Sequence, residues 1–330
     1  NVYYANTDRD GNALDTVGLD FGGRSWAEMA QLDTFITWGS DIDAEGGTGA
    51  IWRLYEGNAT PLLRRFLTAL HVAGENTTTT YDGTEQSGSW SATGEYDADR
   101  VYGQPIGGKN AGNYALDMGG LYSDQQGYDL ITSGGGTLTI NKAQATVTAN
   151  SGTTTYNGTE QSVDGFTVDG LVNGEDQSVL TGVTTSGGKG TNAGSYVLTV
   201  GGGSADNYEL TFVDGTLTIE RKAITGSITA DGKTYDGSTY ANTHGTLDGV
   251  ISGDDLQFNT AGAFANKTAG DGKQVTVSGS LGGGDAGNYV LTTNSSATAN
   301  IDRKIITADV RALDKLFDGS LAATLEGVLN

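Results

Sequence analysis

Thr80-Tyr81-Asp82-Gly83-Thr84-Glu85-Gln86-Ser87 returns in this chain as Thr155-Tyr156-Asn157-Gly158-Thr159-Glu160-Gln161-Ser162. It returns again as Thr234-Tyr235-Asp236-Gly237-Ser238-Thr239, and a fourth time as Leu316-Phe317-Asp318-Gly319-Ser320. The aromatic positions 81, 156, 235 and 317 lie 75, 79 and 82 residues apart. That period is the size of a small domain and longer than the coil of most solenoids. Asp-Gly and Asn-Gly tolerate positive φ, so each copy reads as a tight hairpin turn between strands. Asn157 in place of Asp and Phe317 in place of Tyr keep the turn chemistry and the ring bulk.

Outward from these turns, each repeat has the same parts. Alternating strands precede the turn, as in Thr146-Val147-Thr148-Ala149 and Gly226-Ser227-Ile228-Thr229-Ala230. An Ala-Gly-x-Tyr element follows at Ala111–Tyr114, Ala193–Tyr196 and Ala286–Tyr289, and a further Tyr strand at Tyr128-Asp129-Leu130 and Tyr208-Glu209-Leu210. Each repeat closes on Thr137-Leu138-Thr139-Ile140, Thr216-Leu217-Thr218-Ile219 or Thr298-Ala299-Asn300-Ile301. Such alternation is that of half-buried antiparallel sheets. The repeats span residues 70–142, 143–222 and 223–304, and a fourth begins at 305. Joints such as Ile140-Asn141-Lys142-Ala143 contain no Gly/Ser linker, which restricts bending.

Composition sets the outer limits. The chain has 330 residues, 53 Gly, 2 Pro, no Cys and a formal charge of −22. Low hydrophobicity with high charge is the signature of disorder, but 15 Tyr, 8 Phe and 4 Trp at recurring places supply material for packed cores. The acidic balance works against nucleic acid and anionic membrane surfaces as partners. No apolar run approaches the roughly 18–20 residues that span a bilayer, and no signal peptide is visible. Lack of cysteine removes disulfide support and leaves the compartment open. The chain opens mid-pattern and stops inside a repeat, and so reads as a segment of a longer protein.

Residues 1–69 differ from the rest. They hold Trp26, Trp38 and Trp52. Ser25 reads as an N-cap with Glu28 as its capping-box partner. A second short helix is expected from Thr60, with Pro61 at its first position and Leu62, Leu63, Phe66, Leu67 and Leu70 on one face. It would cap the open coil of a stack.

Asn1-Val2-Tyr3-Tyr4, Asp10-Gly11, Phe35-Ile36-Thr37-Trp38, Ile51–Gly57 and Thr60-Pro61-Leu62-Leu63-Arg64 resemble the closing segment of GLUG-type β-solenoids. Those solenoids occur in large bacterial surface proteins of the filamentous-haemagglutinin type. The solenoid coils themselves are absent from the sequence. From Leu70 onward, the Tyr-Asp-Gly copies, the Ala-Gly-x-Tyr elements and the closing Thr-Leu-Thr-Ile strands resemble the YDG and MBG repeats of exported bacterial adhesins. The resemblance implies secretion to the surface of a Gram-negative cell, commonly through a two-partner system with an outer-membrane partner. It also implies a role in adhesion or biofilm, with the repeats as stalk. The expected fold is therefore all-β: the end of a solenoid with a short capping helix, then tandem antiparallel β-sandwiches of Ig-like type. The alternative is a β-grasp repeat with a helix in the loop from Leu171 to Val179.

Sites for chemistry are few. His71 and His244 lie in different segments, and neither has the Ser/Asp setting of a triad; no Gly-x-Ser-x-Gly elbow occurs. The 40 carboxylates guarantee accidental pairs, so no glycosidase pair is nominated. The expectation is no catalytic residue and no cofactor. Calcium is the candidate ion: Asn6, Asp8 and Asp10 place oxygens at alternate positions before Gly11, as the first half of a calcium loop does. The twelfth position is Val17, so Asp15 would have to substitute, and an ordinary Asp/Gly turn competes. Gly174-Glu175-Asp176 and Gly253-Asp254-Asp255 occupy matching places and offer either a joint ion or a turn. Tyr114 and Tyr196 would stack on a sugar if the repeats bind host or matrix polysaccharide, although recurrence at one strand position favours packing. Asn58-Ala59-Thr60 and Asn76-Thr77-Thr78 are sequons of the kind expected by chance in so Asn/Thr-rich a chain.

Overall fold

A computed structural model describes residues 23–330, so the calcium candidates Asn6, Asp8, Asp10 and Asp15 lie outside the described residues. Strands make up 51% of the structure, against one α-helix of four residues, Trp26–Met29, which fixes the class as all-β. Ser25 caps that helix as expected: Glu28 N–H donates to Ser25 Oγ at 3.2 Å, and Ser25 N–H to Glu28 Oε2 at 2.7 Å. The expected Thr60 helix does not form. Leu62–Leu63 is a strand paired with Trp52–Arg53, Arg64–Phe66 is one 3-10 turn, and Thr68–Gly74 is the opening strand of the first repeat. The Leu spacing fits a strand as well as a helix, and sheet partners decide: Leu70 and Val72 point inward while Phe66 stays exposed. The loop where a β-grasp repeat needs a helix holds one 3-10 turn, Gln177–Val179.

The chain packs as two compact units. One runs up to Thr148 and adds Phe166–Thr184 and Val200–Val213; the other is Ala149–Gly165, Thr185–Thr199 and Asp214–Asn330. The second sequence repeat is thus divided between them, so packing units and sequence repeats are out of step.

In the first unit, the opening strand Thr68–Gly74 lies between Tyr128–Thr132, parallel, and Trp90–Ala92, antiparallel. The closing strand Thr137–Asn141 lies between Thr77–Thr80, parallel, and Gly112–Ala115, antiparallel. One residue later the next opening strand, Ala143–Ala149, pairs in parallel with Tyr208–Val213. The second unit repeats the scheme. Gly215–Glu220 pairs in parallel with Gly152–Thr155 and antiparallel with Gly194–Ser204. Lys222–Ala230 pairs in parallel with Tyr289–Thr293 and antiparallel with Thr243–Asp248. Ser296–Asp302 pairs in parallel with Lys233–Thr234 and antiparallel with Gly270–Gly282. The sheets are mixed, which corrects the purely antiparallel expectation. Alternation usually accompanies antiparallel pairing, but Thr137–Asn141 and Gly215–Glu220 alternate while pairing in parallel on one side.

This register also corrects the third Ala-Gly-x-Tyr copy. Gly112 pairs with Ile140 and Gly194 with Ile219, but the residue paired with Ile301 is Gly270. Tyr289 instead pairs with Lys222, as Tyr208 does with Ala143. Ala286–Tyr289 is therefore the counterpart of Ala205–Tyr208.

The apolar cores sit where repeats meet. In the first unit, Tyr81, Leu116, Leu138 and Ile140 of one repeat pack with Ala143, Ala145, Ala205 and Tyr208 of the next. In the second, Tyr156, Leu217 and Ile219 pack with Ile224 and Tyr289. Each fully buried Leu or Ile contributes about 1.5–3 kcal/mol, so neighbouring repeats stabilise one another through these clusters. A further cluster, Ile228, Ala241, Phe264, Val275, Val277, Ala299 and Ile301, lies within the third repeat. Residues 23–67 have their own core of Phe35, Ile42 and Leu54. They join the first repeat through Tyr55, whose hydroxyl donates to Tyr128 O at 2.5 Å and accepts from Leu130 N–H. Arg53 and Arg64 also flank the buried Asp129 at 3.3 and 2.6 Å.

Candidate functional site: the joint between repeats

The Tyr-Asp-Gly copies are built alike from the backbone outward. Tyr81 N–H donates to Asn141 O, Tyr156 N–H to Glu220 O and Tyr235 N–H to Asp302 O, each at 2.8 Å. The second residue makes an Asx turn: Asp82, Asn157, Asp236 and Asp318 accept from the backbone N–H two residues on, at 2.8–2.9 Å. Asp and Asn serve equally because only one oxygen is needed. The glycines have φ near +80°: Gly83 79°, Gly158 79°, Gly237 82° and Gly319 78°. The positive φ was legible in the sequence; the hairpin was not. The strand before each of the first three turns pairs in parallel with its own closing strand, so the turn leads the chain out of that sheet.

The turns are clamped in two ways. In the first two repeats Gln86 and Gln161 reach back to Thr80 O and Thr155 O. In the third and fourth, Lys233 and Lys315 bridge the turn aspartate and the Ser238 or Ser320 carbonyl at 3.0 Å. The Ser238 amide and the Lys233 ammonium hold the Asp236 carboxyl down at about 2.

What the turn does is met by the next repeat. In the first unit Glu175 accepts from the Tyr81 hydroxyl through one oxygen and from the Tyr208 hydroxyl through the other. Tyr208 Oη in turn accepts from Val172 N–H at 3.0 Å, and the two rings meet edge to face at 5.5 Å and 82°. Asn173, held at φ 52°, donates to Gly83 O at 2.9 Å. A Cβ on Gly83 would stand 2.5 Å from Asn173 Cβ, so this glycine is required by the contact as well as by its φ.

The second unit contains the same arrangement. Asp254 Oδ2 accepts from Tyr156 at 2.8 Å and from Tyr289 at 2.5 Å; Ile251 N–H donates to Tyr289 Oη at 3.1 Å. The rings again meet at 5.5 Å, at 78°. Beside each triad an asparagine bridges the same two repeats. Asn207 accepts from Ala111 N–H and donates to Asn110, and Asn288 accepts from Ala193 N–H and donates to Asn192.

Burial and the carboxylate disfavour the phenolate. Tyr156 is pushed up to about 12 by burial and then by Asp254, and Tyr208 to about 12 by burial and then by Glu175. Tyr81 is raised by its bond to Glu175 and by burial, Tyr289 by burial and Asp254. The arrangement makes a neutral-donor, charged-acceptor link between successive repeats, a hydrogen bond stronger than one between two neutral groups.

Sequence reasoning found the tyrosines and placed Glu175 and Asp254 at matching positions, but not their pairing. Asn207-Tyr208 and Asn288-Tyr289 carried the signal, which the misaligned Ala-Gly-x-Tyr copy concealed. Tyr114 and Tyr196 lie half-buried over Gly108 and Gly190, their hydroxyls donating to Asn110 O and Asn192 O at 2.8 Å. Phe317 is exposed. No three His, Cys, Asp or Glu side chains among the described residues are grouped to hold a metal, and no helix among them is long and apolar enough to cross a membrane.

Two family models match parts of the chain. Residues 220–298 match the YDG domain, and residues 145–218 match the MBG domain of YGX type. The change of turn clamp from Gln161 to Lys233 falls between the two. No curated protein matches the chain. A crystal structure of Drosophila N-cadherin EC1-3 aligns over 70% of this chain and 99% of that one, at 9% identity and a TM-score of 0.20, which carries no argument.

Proposed function

We propose that this chain is a stalk segment of an extracellular bacterial adhesin, spacing an adhesive region from the surface of a Gram-negative cell and serving attachment or biofilm formation. YDG and MBG domains occur in extracellular adhesin-like proteins. The observation that carries the reading is the joint formed twice with the same partners: a turn tyrosine, a carboxylate of the next repeat and that repeat's strand tyrosine. A repeated joint of one chemistry suits a spacer, because each added repeat needs only its neighbour. In this role the protein catalyses nothing and needs no cofactor; residues 23–69 belong to the closing end of a β-solenoid, each repeat is a small Ig-like sandwich, and export uses an outer-membrane secretion partner.

The test is an in-frame deletion of residues 143–221 in the surface-displayed protein. It joins Lys142 to Lys222, the counterpart of Ala143, and so keeps the strand register that sets Tyr81 against Asp254 and Tyr289. A spacer keeps its attachment with shorter reach, and the isolated chain is not retained on a glycan array. Specific glycan retention by the chain, lost with Tyr114→Ala or Tyr196→Ala in a folded protein, would instead assign binding to the repeats. The packing of those two rings against glycine backbone argues for the spacer.

A further inference from the structure

The third Tyr-Asp-Gly turn has the backbone geometry of the first two and none of their cover. Tyr81 and Tyr156 are 3% and 4% exposed; Tyr235 is 37% exposed, and its hydroxyl has no partner among the described residues. A Cβ added to Gly83 or Gly158 would meet the next repeat's loop at 2.5 or 3.0 Å, whereas one added to Gly237 meets nothing within 4 Å. The segment that follows tells the same story. Ile306 stands where Ala145 and Ile224 stand, 82 residues beyond the latter, yet it is 60% exposed against their 2% and 3%. Ala145 and Ile224 are covered by a parallel strand that opens on Asn-Tyr: Asn207-Tyr208 and Asn288-Tyr289. Residues 305–330 already contain two strands in the register of the third repeat. Ala308–Ala312 pairs antiparallel with Leu325–Leu329 so that Ala308 faces Leu329, as Gly226 faces Leu247.

We propose that the face around Tyr235 and Ile306 is a joint surface that takes a further repeat of this kind, continuous with the strand pair 308–312 and 325–329. The carboxylate of that repeat's Gly-acid loop accepts the Tyr235 hydroxyl, and its Asn-Tyr strand runs parallel to the segment around Ile306. The filled joints define this occupant: an acidic loop of the form Gly174-Glu175 or Gly253-Asp254, with a tyrosine hydroxyl bonded to the same carboxylate. The inference rests on joint geometry and stands apart from the export and adhesive role proposed above.

The experiment compares the whole chain with the chain extended after Asn330 by a copy of its own residues 249–304, the segment that follows Asp248, the counterpart of Asn330. Tyrosine nitration, mapped by mass spectrometry, reads each ring. In the chain itself Tyr235 should react at least ten times faster than Tyr81 or Tyr156. In the extended chain Tyr235 should slow to their rate, and changing the appended counterpart of Asp254 to Ala should restore its reactivity. A second extension, a copy of residues 170–222, supplies the Glu175-type loop in case the first does not fold. If Tyr235 stays reactive in a folded extension, or if neither extension folds, the proposal is overturned. It is also overturned if the unextended chain protects Tyr235 by self-association in sedimentation, since the face then serves a second copy.

Discussion

At the residue scale, the tripeptide Tyr-Asp-Gly divides into three jobs. The tyrosine reaches the next repeat, the Asp or Asn closes an Asx turn, and the glycine supplies positive φ while leaving room for the neighbour's loop. The consequences differ by copy. Gly83→Ala should cost about 2–4 kcal/mol, because backbone strain of roughly 1–2 kcal/mol adds to a clash with Asn173 Cβ. Gly237→Ala carries the strain alone and should cost about 1–2 kcal/mol. Asp82→Asn should be nearly neutral, since Asn157 already makes that turn, whereas Asp82→Ala loses the turn bond and should lower the urea midpoint below that of Asp82→Asn. Urea titrations of the four variants measure these values. Equal losses for the two glycine variants would mean that the Gly83 contact adds nothing.

At the scale of strands and joints, the link depends on neutral tyrosines. A raised folded-state value means that stability is fully present below the ordinary tyrosine pKa of about 10 and is lost as pH rises through the folded value. Burial and the carboxylates set Tyr156 and Tyr208 at about 12, so the joints should loosen between about pH 10 and 12. Thermal melts across that range should fall more steeply for the native chain than for Tyr156→Phe or Tyr208→Phe. A pH-independent difference would contradict the assignment. This is also the scale at which the sequence was only partly readable. Opening and closing strands were legible because Val147, Ile228, Leu138 and Leu217 alternate with polar neighbours. Strand direction was misread, because alternation ordinarily marks antiparallel pairs and here the strands paired in parallel alternate as well. The Thr60 segment misled because Leu62, Leu63, Phe66 and Leu70 satisfy a helical stripe, while Leu62 and Leu70 are in fact claimed by strands of different sheets. Glu175 and Asp254 were visible as matching acids, but nothing local announces a partner at position 81 or 156; that information lies 94 and 98 residues away.

At the scale of the whole molecule, repeats and packing units are out of step: each shared core takes its closing strand from one repeat and its opening strand from the next. Stability should then be a sum of repeat terms and neighbour terms. A chain ending at Lys222 removes Ile224, Tyr289 and Asp254 from Tyr156, Leu217 and Ile219. Hydrogen exchange should show amides of Gly215–Glu220 losing protection in that truncated chain, while Thr137–Asn141 keeps it. Uniform protection of both strands would mean that the repeats fold independently of one another.

The central claim is that a turn tyrosine of one repeat is bonded to an acid of the next. A double-mutant cycle on Tyr156→Phe and Asp254→Ala isolates that bond from the burial of either side chain. A coupling of about 1.5–3 kcal/mol, the value of a hydrogen bond to a charged group, is predicted from denaturant unfolding. Strict additivity of the two single losses would contradict it.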